Sequence, residues 1–399
     1  MIILKRLLRI TTDPVFLTGL LILITAIISL QNLLLPTKII APYGTVDTHY
    51  NNYLIFKQSF FHLVADKDLY LPYRSEQMDY YKYSPTFALL MAPLSILPDS
   101  LGLLIWNLLN SLLLFFALWK LPSQTGKSRL FILTFVFLEL ITSIQNSQSN
   151  GIIAGLIVFA FIFLEKKQTL LASLVIVLTI YIKIFGLISL ALFLFYPGKL
   201  KAVFYTLGWT ILLAFLPLLV ISWSQLSYLY QSWLDLLLYD HSISWGLSFA
   251  GWLHSWIPIQ SKNVILIVGI VLFCLPFLKY RFFDDIKFRL FFLSSILIWI
   301  VIFNHKAESP TYVIAITGVA IWFTSQKITT GNFILLIIAF ILTVLSPTDL
   351  FPENIRESYI NPYSLTVLPC ILIWLKITSD LLFFKTGNNA VLQTSAQKK

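Results

Sequence analysis

The sequence predicts an all-α polytopic membrane protein, a bundle of about ten full spans in one transmembrane domain over residues 1–385. Three observations predict it. The 399 residues are 58% hydrophobic and only 12% charged, where soluble domains carry about a quarter. Apolar stretches near the ~20 residues needed to cross ~30 Å of hydrocarbon recur from end to end. The basic residues fall in short clusters between those stretches. A transmembrane β-barrel is excluded, because it would read as short alternating segments. The net charge of +10 is spread along the chain rather than gathered in one stripe, so it reports topology and implies no nucleic-acid partner.

In chain order, spans are predicted at about 15–35, 101–119, 130–145, 151–164, 202–222, 263–278, 290–303, 310–325, 332–346 and 363–384. The first follows Lys5, Arg6 and Arg9 and lacks a small-residue cleavage site, so it reads as a retained helix. With both termini cytoplasmic, 18 of the 28 basic residues lie on the inner side, as the positive-inside rule asks. This threading closes only if residues 169–196, flanked by Lys166/Lys167 and Lys199/Lys201, begin and end on the same side. A re-entrant pair of half-helices is therefore predicted, about 13 residues per arm, with Lys183 at its apex near mid-membrane.

Residues 36–100 form the first outer loop. There Tyr50, Tyr53, Leu54, Phe60, Phe61 and Val64 recur at helical spacing, with Asn51, Asn52, Gln58 and His62 opposite, so a juxtamembrane surface helix is predicted. Phe87–Leu97, between Pro85 and Pro98, is too short to span and is expected to dip into the interface. The polar tail 386–399 is expected to be a disordered cytoplasmic segment.

Ionisable residues at membrane depth are functional candidates by default. Asp47, directly after the first span, could be a general base or merely the N-cap of the surface helix. Lys183, deep in an apolar stretch, needs an anion, either a lipid phosphate or a buried carboxylate. Lys376 is expected to snorkel. Ser147-Gln148-Ser149-Asn150 could present amides to sugar hydroxyls or satisfy a tight turn. Asn304-His305-Lys306-Ala307-Glu308 could clamp a phosphate or be a solvated loop. Asp240 and His241, even with His254, have no metal-ligand spacing, and no metal or cofactor is expected. Cys274 and Cys370 both lie in apolar stretches and offer no disulfide framework.

Asp47 with Tyr50 and Tyr53, then Tyr70, Lys82-Tyr-Ser-Pro85, Pro93 and Pro98, resembles the first loop of glycosyltransferase family 87, polyprenyl-phosphate-mannose-dependent mannosyltransferases. Gln148-Ser-Asn150 resembles the family's Gly-Gln-x-Asn, with Ser147 in place of the glycine. Ile182-Lys183-Ile184-Phe185 resembles its Lys-aromatic-Pro segment, with Gly186 in place of the proline. Of the paired histidines expected late in the chain, only His305, beside Lys306, is evident.

The resemblance implies a GT-C type helix bundle, a polyprenyl-phosphate sugar donor, a glycan or glycolipid acceptor, and an extracytoplasmic site in the bacterial inner (plasma) membrane. It implies Asp47 as catalytic base of an inverting single displacement. Lys183, Lys306 and His305 would hold the donor phosphate, and His49, Tyr50, Tyr83, Gln148, Asn150, Asp240 and His241 the sugars. The competing classes are a transporter or flippase and a polymerase or ligase of lipid-linked saccharides. Transporters usually show interrupted helices in two related halves, and here there is one re-entrant element.

Overall fold

The computed structural model describes residues 13–40 and 44–385. The basic cluster Lys5/Arg6/Arg9 and the tail 386–399 lie outside the described residues. Helix α1 (Pro14–Leu34) opens with Asp13, whose carboxylate accepts from the Val15 amide at 2.8 Å, and with Pro14 in the first turn, where a missing N–H costs nothing. Its Leu23, Ile27 and Leu30 are exposed, as on a lipid-facing helix. Its inner face is polar: Thr25 donates to Ser111 at 3.1 Å, and Asn107 to Ser29 at 3.0 Å. Such small-residue and hydroxyl contacts join helices where lipid supplies no hydrophobic drive.

Strands β1 (Lys38–Ile40) and β2 (Thr45–Asp47) pair antiparallel, Lys38 opposite Asp47, a short hairpin that an all-helical reading did not contain. Helix α2 (Asn51–Val64) starts after Tyr50, so Asp47 is not its N-cap. Tyr53, Phe56 and Leu63 are buried, whereas Phe61 and Val64 are exposed. His62, expected on the polar face, turns inward because it bonds Glu76 at 2.8 Å and stacks on Tyr73. The segment expected to dip into the interface buries Phe87, Ala88, Met91 and Leu94 in the protein and leaves Leu90 and Ile96 exposed. In α3 (Pro85–Leu90) Phe87 and Ala88 are buried, Ser84 caps the helix and donates to the Tyr181 carbonyl, and Thr86 donates to the Leu213 carbonyl.

Among the described residues five helices are long and apolar enough to cross a membrane: α1, α4 (Asp99–Trp119), α5 (Gly126–Gln145), Lys199–Leu219 and Lys262–Phe282, with shorter apolar helices of 10–17 residues between and after them. The chain is thus a helical polytopic membrane protein. The last two long helices change winding at Pro217 and Pro276, where α8 (Lys199–Phe215) and α11 (Lys262–Cys274) pass into 3-10 turns, since proline removes an amide donor from the ladder. The centre is α12 (Ile286–Ile302), α13 (Tyr312–Thr324) and α6 (Asn150–Glu165), buried nearly all round. A helix apolar on every face must be enclosed in this way. The short α10 (Phe249–Trp256), α14 (Thr330–Ala339), continued as a π turn Phe340–Leu345, and α15 (Leu368–Leu382) complete the packing. Lys376 on α15 pairs with Asp380 one turn on rather than reaching out alone.

Helix α7 (Thr169–Ile182) ends at Lys183, which is extended (φ −139°, ψ 119°), and a 3-10 helix follows over Ile184–Phe195. The two arms pack on each other. Gly186 permits this turn: a Cβ there would lie 2.3 Å from the Thr179 hydroxyl oxygen. At the hairpin's base the Tyr196 hydroxyl donates to Glu165 at 2.6 Å, and Arg289 grips the same carboxylate at 2.7 and 3.1 Å. Residues 165 and 196 therefore share one end of the bundle. At the apex Lys183 reaches Asn150, the first residue of α6. The 14 residues of α7 extend about 21 Å at 1.5 Å per residue, against about 24 Å for the 16 of α6. The apex is thus level with the far end of its neighbour, not halfway along it.

Candidate functional site

Helix α5 ends at Gln145, Ser147 takes a left-handed conformation (φ 50°), and α6 begins at Asn150. This tight reversal aims two amides into the protein. Lys183 Nζ donates to Asn150 Oδ1 at 2.7 Å, Asn150 Nδ2 to Gln148 Oε1 at 2.5 Å and to the Pro310 carbonyl at 2.9 Å, and Gln148 Nε2 to Glu308 Oε2 at 2.9 Å. One polar chain runs from cation to carboxylate through two neutral amides. Tyr83 lies beside it: burial pushes its phenol upward, Ser149 opposes this, and the charge of Glu308 adds to it. The direct side-chain partner of Lys183 is an amide, and the Glu308 carboxylate stands at the other end of the chain.

Next to this chain two distant loops close on each other. Helix α9 (Trp223–Ile243) brings Asp240, buried, to 3.1 Å from Lys306. His241 meets the His305 ring with nitrogens 3.4 Å apart, its other nitrogen 3.0 Å from Asn263. The two rings come from different elements, His241 from the last turn of α9 and His305 from the turn after α12. Burial pushes the His305 imidazole down to about 4, and His241, Lys262 and Lys306 push the same way. The seam is held by backbone: the Leu247 amide donates to the Ala307 carbonyl at 2.7 Å and the Ser244 hydroxyl to the His305 carbonyl at 2.9 Å. Gly246 (φ 55°) fits where a Cβ would sit 2.5 Å from the His305 carbonyl oxygen.

This cluster opens on a cleft of about 560 Å³ between the 3-10 arm and α11. His241, Lys262 and His305 line it together with apolar walls that include Ile188, Leu266, Phe273 and Trp299. Lys183 immediately precedes the wall residues Ile184 and Phe185, and the Phe185 ring touches His305.

Asp47 ends β2, whose Val46 amide donates to the Arg74 carbonyl at 3.0 Å. It lines a separate polar pocket of about 440 Å³ with His49, Thr48 and several carboxamides. Tyr50 is half-buried against the core. The predicted residues thus fall into an Asp47/His49 pocket, a Tyr83/Gln148/Asn150/Lys183 chain and an Asp240/His241/His305/Lys306 cluster. The last two adjoin. Sequence reading passed over Lys262, whose signal was being the charged first residue of an apolar span, and the pocket amides Gln31, Asn32 and Gln145, which stand at or near the ends of α1 and α5.

These features describe a helical membrane protein with a polar, cation-bearing centre beside an apolar cleft. The chain belongs to glycosyltransferase family 87, whose family model matches residues 81–302, more than half of its length. It is accordingly an enzyme of the glycosyltransferase class. The match includes Tyr83, Gln148, Asn150, Lys183, Asp240 and His241, and does not extend to Asp47, His49, Tyr50, His305 or Lys306. No curated protein matches the chain.

Proposed function

We propose that this glycosyltransferase moves a hexose, mannose in our reading, from a polyprenyl-phosphate donor to a glycan or glycolipid acceptor on the extracytoplasmic side. The observation that carries the donor assignment is the apolar cleft ending in His241, Lys262 and His305 beside Lys183. A prenyl chain fits the walls, and its phosphate fits the cationic end. The reading of residues 169–196 as a hairpin that begins and ends on one side belongs to the same proposal, with Lys183 level with the far end of α6, since broken helix is tolerated where it lines a cavity.

In this mechanism Asp47 takes the proton of the acceptor hydroxyl as that oxygen bonds to the anomeric carbon. The bond from that carbon to the phosphate oxygen breaks with inversion, through an oxocarbenium-like state. The departing phosphate keeps the electron pair, and Lys183 stabilises it. Lys306 is already paired with Asp240, whereas Lys183 is held by an amide and adds its charge without first losing a counterion. Gln148, Asn150 and Tyr83 orient the donor sugar.

The test is sugar transfer from polyprenyl-phosphate-mannose by purified protein in lipid nanodiscs. Asp47→Asn is expected to bind donor normally and turn over at least a hundredfold more slowly, about 2.7 kcal/mol at the transition state. Donor binding without any turnover difference would remove Asp47 from the base role, and no binding across a panel of polyprenyl-phosphate sugars would remove the donor assignment.

A further inference from the structure

We infer that the pocket around Asp47 is a binding site for an uncharged, hydroxyl-rich ligand, and that Gln31 and Gln145 are the residues that select it. Calling that ligand the sugar acceptor rests on the transferase reading above. The binding site does not.

Six carboxamides line this pocket of about 440 Å³ beside Asp47: Gln31 and Asn32 from the end of α1, Asn51 and Asn52 from the start of α2, Gln145 from the end of α5, and Asn146 after it. The volume is within the range of about 300–1,000 Å³ typical of small-molecule sites. Several of the amides are committed to holding the walls. Asn32 donates to the Gln145 carbonyl at 2.8 Å, Asn52 to the Asn146 carbonyl at 2.9 Å, and Asn51 accepts from the Met78 amide at 2.8 Å. The side chains of Gln31 and Gln145 are exposed in the pocket and have no partner among the described residues. The Thr48 hydroxyl, nine-tenths buried on the pocket wall, also lacks a partner among the described residues.

A carboxamide offers both donors and an acceptor, which is what a hydroxyl group, itself donor and acceptor, requires. No lysine or arginine is among the described lining residues, and Lys38, which faces Asp47 across the hairpin, does not line the pocket. An anionic ligand would meet the Asp47 carboxylate, with no lysine or arginine among the described lining residues to offset it. The cleft near Lys183 has the opposite character, apolar walls and cations. The two cavities therefore discriminate by chemistry: an anion-bearing lipid in one, a neutral polyol in the other.

The experiment uses the full chain in nanodiscs and an uncharged octyl hexoside carrying a diazirine, which labels without turnover. Labelling is expected in peptides containing Gln31–Asn32 and Gln145–Asn146, competed by unlabelled octyl hexoside at least tenfold better than by its 6-phosphate. Gln31→Leu and Gln145→Leu, at exposed positions, are expected to reduce labelling at least fivefold while leaving polyprenyl-phosphate binding unchanged. Labelling elsewhere, equal competition by the phosphorylated sugar, or full labelling of both variants would overturn the inference. A protein that labels here yet binds no polyprenyl-phosphate sugar breaks the transferase reading and leaves this site standing.

Discussion

The two ends of the 169–196 hairpin use charge in opposite ways. At the base, Glu165 is answered by the bidentate Arg289 and the Tyr196 hydroxyl, a closed set with full charges paired. At the apex, the ammonium of Lys183 is answered by an amide oxygen, and the carboxylate that ends this polar path, Glu308, is two amides away. A paired charge fixes geometry and has little left to offer a ligand. A cation held by neutral groups keeps its field for an anion that arrives later.

Four substitutions or conditions probe this difference. Lys183→Met removes the apex charge and keeps the side chain's length. It is expected to lower kcat/KM for a polyprenyl-phosphate sugar by a hundredfold or more, about 2.7 kcal/mol, with thermal stability little changed. If it instead melts the protein and leaves turnover intact, the apex is as structural as the base. Arg289→Met, at the base, strands a mostly buried carboxylate and is expected to cost about 3 kcal/mol of stability, read as a lowered Tm, with turnover of the folded fraction within threefold of wild type.

The third probe is pH. His305 is held neutral by burial, its value pushed down to about 4, against about 6.5 in an unfolded chain. Between these values the unfolded chain binds more protons, so stability falls as pH drops from about 6.5 toward 4. A Tm series over that window is expected to flatten in His305→Asn. The smallest effect is expected for Ser147→Gly, which relieves a left-handed serine (φ 50°). It should stabilise by at most about 1 kcal/mol, since glycine also costs entropy in the unfolded chain.

The same contrast explains what the sequence could and could not disclose. Basic flanks at 166–167 and 199–201 were enough to place both hairpin ends together, because the positive-inside rule needs only local composition. The partners at those ends were not readable: Gln148 meets Glu308 across 160 residues and His241 meets His305 across 64. No spacing rule reaches so far. Face assignment failed at His62, where Glu76, beyond the helix, decides which side is inside. For α12 and α13, buried on all faces, there was no amphipathic stripe to read. Asp47 stood out as a carboxylate after a span, while Gln31 and Gln145, at the ends of two different spans, had nothing in their spacing to join them to it.

The seam between Ser244–Leu247 and His305–Ala307 also sets a timetable for biosynthesis. A nascent chain that has inserted everything through α11 still lacks one wall of the polar centre, because His305, Lys306 and Glu308 have not been synthesised. About three quarters of translation must finish before the centre can close, so only ribosome-bound chains shorter than this lack it. Chains arrested before residue 305 should therefore fold their first helices and yet remain catalytically silent.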